Sequence, residues 1–363
     1  MPGTQANSRR WSFLSLRVVV YLLIALFALD RLIAAHARLW RSYSPRFYRE
    51  RVEACRAGRW DLVLVGASPV MGGINADVLQ GIRVRGTPVQ RAFNLGLPLA
   101  TASEIYHAVK HGLPKPPRVL LYGITASDIN EDRVEPQGPC DLMSLSESAR
   151  WIRERPEATA WCIRQLLQER CARMWKLYYY RLGIRLWLAD WIEQRWPGTC
   201  PEAAAAARAG REHCAALHTS HGLVPLPPVP PSLSLASAKA AGGGKLGDFP
   251  FLDHYHISGY VRHVNRLLDW ADEHGVAVIL VDMPVTTDLE IGPYADAFKA
   301  YRVVLADLER KRNLNVLRPT RESVGLTDAD FSDWIHLNAD GNARFSAWLR
   351  RTLDQSGGLQ AQK

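Results

Sequence analysis

The chain has 363 residues, is 47% hydrophobic and carries a formal net charge of +9, enough length and apolar content for one large core or two smaller ones. Its arginines are spread along the whole length and no Lys/Arg block is interleaved with aromatic residues, which argues against a nucleic-acid groove. The cysteines at 55, 140, 162, 171, 200 and 214 form no C-x-x-C pair and have no histidine at zinc-finger spacing, which argues against a structural zinc site and leaves disulfides and free thiols both open.

At the N-terminus Arg9 and Arg10 precede the unbroken apolar run VVVYLLIALFAL, residues 18–29. A span needs about 20 residues. The run reaches that length from Trp11 to Ala35 if Arg17, Asp30 and Arg31 extend towards the interfaces. The pattern predicts a tail over 1–10 and a transmembrane anchor over 11–35. A cleavable signal also has a basic start, and Ala35-His36-Ala37 offers a small-residue site, but Asp30 and Arg31 interrupt the segment just before it. Arg31, Arg38, Arg41 and Arg46 outnumber the arginines before the segment, so the positive-inside rule taken literally keeps the rest of the chain in the cytoplasm.

Residues 36–58 read as an arginine-rich, aromatic-dotted linker helix, and 59–363 as an α/β domain. Five strands are expected: DLVLVG (61–66), AFNLGLP (92–98), RVLLYG (118–123), VAVILVDMP (276–284) and LNVLRP (314–319). TASEIYHAVKHG (101–112) has a Thr/Glu capping box and helical apolar spacing. Residues 260–275 and 339–353 are further helices. Strands alternating with helices imply a mostly parallel sheet in a three-layer, flavodoxin-like arrangement. A helical, aromatic-rich and Pro-rich insertion interrupts it at about 141–250. The aromatic stripe within 148–196 suits core packing, or a lid or membrane-facing surface. An alanine run near 205 is followed by 224–245, a Pro/Ala/Gly stretch that reads as linker or disordered loop.

A parallel sheet places ligands at the carboxyl ends of its strands. Ser68 follows the first strand, Gly96 ends the second, and Thr125 and Asp128 follow the third. Near the C-terminus FSDWIHLNADG sets Asp333 three residues before His336. A serine hydroxyl needs a base, and a histidine base works best when a carboxylate fixes its tautomer. Taken singly, Ser68 and Asp333 are also ordinary helix caps, and His336 an ordinary structural histidine. No phosphate-binding glycine loop is present. Asp253, His254 and His256 form a polar loop more simply than a metal site. No metal site and no cofactor are expected.

Gly66-Ala67-Ser68, Asn94-Leu95-Gly96, Gly123-Ile124-Thr125 and Asp333-Trp334-Ile335-His336-Leu337-Asn338 resemble, in order, the four signature blocks of SGNH (GDSL-type) hydrolases. The layout is most similar to the membrane-anchored bacterial branch that includes alginate acetylation and DltD-like proteins. The resemblance covers about 60–135 and 250–350. It implies Ser68 as nucleophile, His336 as base and Asp333 as orienting acid, with the backbone N–H groups of Ser68 and Gly96 lining an oxyanion hole. Thr125 stands where the family has an asparagine donor, with Asn130 as an alternative donor. Ala67 and Pro69 depart from the family's first block.

The resemblance further implies a membrane-anchored serine esterase or O-acyltransferase for acylated glycan or lipid of the cell envelope. Its catalytic domain would lie outside the cytoplasmic membrane, with a membrane-bound O-acyltransferase as partner. A non-catalytic carbohydrate-binding or assembly module on the same fold is the competing expectation.

Overall fold

The computed structural model describes residues 5–43, 47–84, 86–130, 143–154, 163–164, 166–167, 174–223, 252, 255–257, 260–292 and 294–355. The chain divides into two compact units, Met1–Arg46 with Thr159–Cys214, and Phe47–Ala158 with Ala215–Lys363.

In the first unit, helix α1 (Gln5–Ala35) contains Leu16–Ala35, a 20-residue stretch of mean hydropathy 2.3 that is long and apolar enough to cross a membrane. Asp30, near the end of this stretch, is held by protein donors. It is 4% exposed, and accepts hydrogen bonds from the Leu177 N–H at 2.8 Å and the Arg31 guanidinium at 2.6 Å. Those donors let the apolar helix keep a carboxylate.

Helix α2 (Ala37–Tyr43) packs Trp40 edge-on against Trp187 of the helix Arg181–Arg195, with ring centroids 5.6 Å apart. The aromatic stripe is partly core and partly surface. Tyr179 and Tyr180 are buried, whereas Trp175, Trp191 and Trp196 are exposed. The alanine run lies inside the 19-residue helix Pro201–Thr219. The Pro-rich stretch 224–245, Asp253 and His254 fall outside the described residues. Cys55 and Cys200 are free thiols; Cys140, Cys162 and Cys171 are not among the described residues.

The second unit opens with α3 (Phe47–Arg56), so the segment read as one linker helix is two helices, α2 and α3, assigned to different units. Strand β1 (Leu62–Gly66) is followed by the short helix α4 (Ser68–Gly73), a two-stranded hairpin of β2 (Arg83–Val84) and β3 (Thr87–Pro88), and β4 (Ala92–Gly96). Then come α5 (Ala102–Gly112), β5 (Val119–Ile124), α6 (Leu145–Glu154), β6 (Ala277–Asp282) and β7 (Asn315–Leu317). The five long-range strands form a parallel sheet in the order β4-β1-β5-β6-β7.

Alternation along the strands supplies a core on each face. Val63, Val65, Leu120, Tyr122, Val278 and Leu280 face α3, α5 and the helices Tyr260–Glu273 and Ala295–Arg312. Leu62, Leu64, Val119, Leu121, Ile279 and Val281 face α4 and the closing helix Ala339–Gln355. Continuous apolar strands are what a sheet covered on both sides requires. The architecture is therefore the expected three-layer α/β fold. Its strand order reverses beside β1, which makes the carboxyl end of β1 the switch point where such sheets bind ligands.

Candidate active site

Ser68 is the first residue of α4, directly beyond that switch point. Pro69 suits the first turn of a helix, where no N–H is needed for the ladder. Three glycines lie in register at or next to the ends of adjacent strands, Gly66 opposite both Gly96 and Gly123. Their bare Cα atoms let α4 lie across the strand ends. A Cβ on Gly66 would overlap Val70 and the Gly123 carbonyl, and one on Gly96 would overlap the Met71 backbone.

Asn94, fully buried in β4, fastens α4 from below. Its amide donates to the Ile74 carbonyl at 2.7 Å, which the short helix leaves free, and to the Val70 carbonyl at 2.8 Å, which also accepts the Ile74 N–H. Behind it, the fully buried Arg51 of α3 donates to the Asn94 carbonyl at 2.7 Å and the Gly222 carbonyl at 2.5 Å. Burial pushes the Arg51 guanidinium down to about 9.

Asp333 and His336 lie on the loop before the closing helix. Phe331 bridges Leu337, and the Ser332 N–H donates to the His336 carbonyl at 2.8 Å, which closes the loop on itself. Asn338 caps the helix by accepting the N–H groups of Asp340 and Gly341 at 3.1 and 3.0 Å. Asn342, one turn further on, donates to the Gly72 carbonyl at 2.6 Å and so ties this helix to α4.

These ties bring the three side chains together. The Ser68 hydroxyl and His336 Nε2 are 2.8 Å apart, and His336 Nδ1 lies 2.7 Å from the Asp333 carboxylate. Burial pushes the Asp333 carboxyl up, but the His336 hydrogen bond and charge and the N–H groups of Ile335 and His336 outweigh it, and it stays below its ordinary value. An ionised carboxylate only accepts. It therefore fixes the hydrogen on Nδ1, leaves Nε2 as the acceptor, and makes Ser68 the donor. This is an arrangement that can take the proton of a serine as it attacks an acyl carbon.

The remaining site residues are placed differently from expectation. The Gly96 N–H donates to Asn94 Oδ1 at 2.8 Å and is not turned to an oxyanion. The Thr125 hydroxyl donates to Asp128 at 2.9 Å, and its N–H meets the same carboxylate at 3.0 Å, a capping box that closes the turn Ala126–Ile129. Asn130 is buried, and its Oδ1 accepts the His256 N–H at 3.0 Å. The Ser68 N–H makes no hydrogen bond among the described residues. Sequence reasoning passed over Asn94 and Asn342 as positioning residues. A buried asparagine inside an apolar strand was the available signal for the first.

No family model matches the sequence, and no curated protein matches it. Among solved structures it is similar to a Bacteroides fragilis protein described as a "putative acylhydrolase", with a TM-score of 0.37 and 9% identity over 87% of this chain and 97% of that one. So distant a likeness adds nothing to the chemistry, which rests on the side chains described above.

Proposed function

We propose that the chain is a membrane-anchored serine hydrolase or O-acyltransferase with Ser68 as nucleophile, His336 as general base and Asp333 as the carboxylate that orients it. The observation that carries this reading is the hydrogen-bonded series Ser68–His336–Asp333, with separations of 2.8 and 2.7 Å. In the reaction Ser68 Oγ bonds to an acyl carbon while its proton passes to His336 Nε2. The alkoxide leaving group takes that proton as the ester bond breaks. A second hydroxyl, from water or an acceptor sugar, repeats the steps in reverse on the acyl-serine. The Ser68 N–H is a donor for the oxyanion that develops.

The apolar stretch Leu16–Ala35 supports anchoring to a membrane, with the exposed Trp175, Trp191 and Trp196 in the same unit suited to its interfacial layer. The resemblance of the signature blocks supports an extracytoplasmic site and an acylated cell-envelope glycan or lipid as substrate, with a membrane-bound O-acyltransferase as partner. The test is labelling by a fluorophosphonate probe. Modification at Ser68 in the parent and its loss in His336→Ala support the enzyme; an inert Ser68 in folded protein defeats it. One observation favours a second reading, a non-catalytic glycan-binding module: the Gly96 N–H and the Thr125 hydroxyl are both committed to internal acceptors. Glycan binding without labelling would select that module.

A further inference from the structure

Away from Ser68, α5 carries His107 and His111, one helical turn apart and on one face. Their rings are parallel to within 6°, with centroids 6.1 Å apart. His107 is only 5% exposed, and its Nδ1 has no hydrogen-bond partner. Glu147, in the first turn of α6, brings a carboxylate oxygen to 3.1 Å from His111 Nε2. One donor atom from each of the three lies within 4.8 Å of the others. The cleft they line with Tyr106 and Lys110 holds about 30 Å³. That is room for an ion with water beside it.

We propose that His107, His111 and Glu147 bind a zinc-like transition-metal ion that clasps α5 to α6. Two imidazoles and one carboxylate are a zinc donor set, with the fourth position left to water. Nitrogen donors disfavour calcium and magnesium, which take oxygen ligands. The buried, unpartnered His107 Nδ1 and the Glu147 carboxylate beside His111 Nε2 are the kinds of donor such an ion takes.

The Lys110 ammonium, 2.5 Å from Glu147, is the competitor an incoming dication displaces. Arg150 and Arg266 line the same cleft and weaken binding further, which an ion with strong nitrogen affinity overcomes better than a hard one. Because α5 leaves the carboxyl end of the sheet and runs back antiparallel to it, its last turn lies at the edge remote from Ser68. The metal is therefore a fastening, separate from the Ser68 chemistry.

The experiment is titration of chelator-treated full-length protein, in detergent, with zinc chloride and with cobalt(II) chloride. One equivalent should bind, with the visible absorption of four-coordinate cobalt and a rise in the melting temperature on zinc addition. Glu147→Gln, on the exposed side of the cleft, should weaken binding by more than the roughly 10- to 100-fold that supporting residues contribute. His107→Ala should do the same, and Lys110→Met should tighten binding. Chelation should leave fluorophosphonate labelling of Ser68 unchanged. No stoichiometric uptake, uptake unaltered by Glu147→Gln, or a cleft that takes up sulfate but no metal would overturn the proposal.

Discussion

The side chain of Asn94 accepts the N–H of Gly96 at 2.8 Å, two residues along the same strand. The same side chain donates upward to the carbonyls of Val70 and Ile74, so one buried amide joins the end of β4 to the helix that presents Ser68. Replacing it with leucine, of similar size, leaves the Gly96 N–H and the Ile74 carbonyl without this partner, while the Val70 carbonyl keeps the Ile74 N–H. Each buried unpaired group costs about 1–3 kcal/mol. Asn94→Leu should therefore lose at least about 2 kcal/mol in denaturant unfolding, with labelling of Ser68 falling in whatever folded protein remains.

Ser68→Ala and His336→Ala should each abolish esterase activity on a small activated ester while circular dichroism stays that of the parent. The role proposed for Asp333 is orientation and not proton transfer, so Asp333→Asn should keep about a hundredfold more turnover than His336→Ala. Near-parental turnover in either alanine variant would remove that residue from the mechanism.

Thr125 offers its hydroxyl to Asp128, so its side chain belongs to the turn and not to an oxyanion hole. Thr125→Val should cost about 1–2 kcal/mol of stability, the range of a lost cap, with kcat little changed. Thr125→Asn should give no gain in rate. A clear gain with the asparagine would show that position 125 reaches the reacting oxygen after all.

Burial pushes the Asp282 carboxyl up to about 6, against the opposing influence of the Tyr301 hydroxyl, 2.8 Å away, and of Arg302 and Arg318. Its folded value exceeds its unfolded one. The folded chain therefore retains a proton that the unfolded chain has lost, and stability falls as pH rises from the ordinary carboxyl range to about 6. Asp282→Asn keeps an acceptor for Tyr301 and removes the ionisation. It should raise stability by up to about 3 kcal/mol above pH 6 and leave it unchanged below pH 4. Melting temperatures of both proteins across that range provide the check.

A reporter fused after Lys363 should be active outside the cytoplasm, and a membrane-impermeant reagent should reach the second unit in intact cells. Activity confined to the cytoplasm would make the arginine count after the apolar segment the better guide to orientation.

The strands, their glycine ends and the Asp333–His336 pair were legible in the sequence because each depends on neighbours within a few residues. Apolar runs ended by glycine give buried parallel strands, the Thr101–Glu104 box starts α5, and a D-x-x-H spacing lets one loop hold carboxylate and imidazole together. Tertiary structure decided what joins residues far apart. Ser68 and His336 are separated by 268 positions, and their contact depends on the closing helix being tied through Asn342 to Gly72. The same holds where local patterns misled. Gly96 reads as an oxyanion donor until the Asn94 side chain, turned inward by the carbonyls of α4, takes its N–H. His107 and His111 stood in plain view as a pair one turn apart, but the carboxylate that completes their cluster comes from Glu147, on another helix. Spacing encodes which groups share a turn; only packing, which brings buried donors and acceptors from distant segments into contact, determines how each one is used.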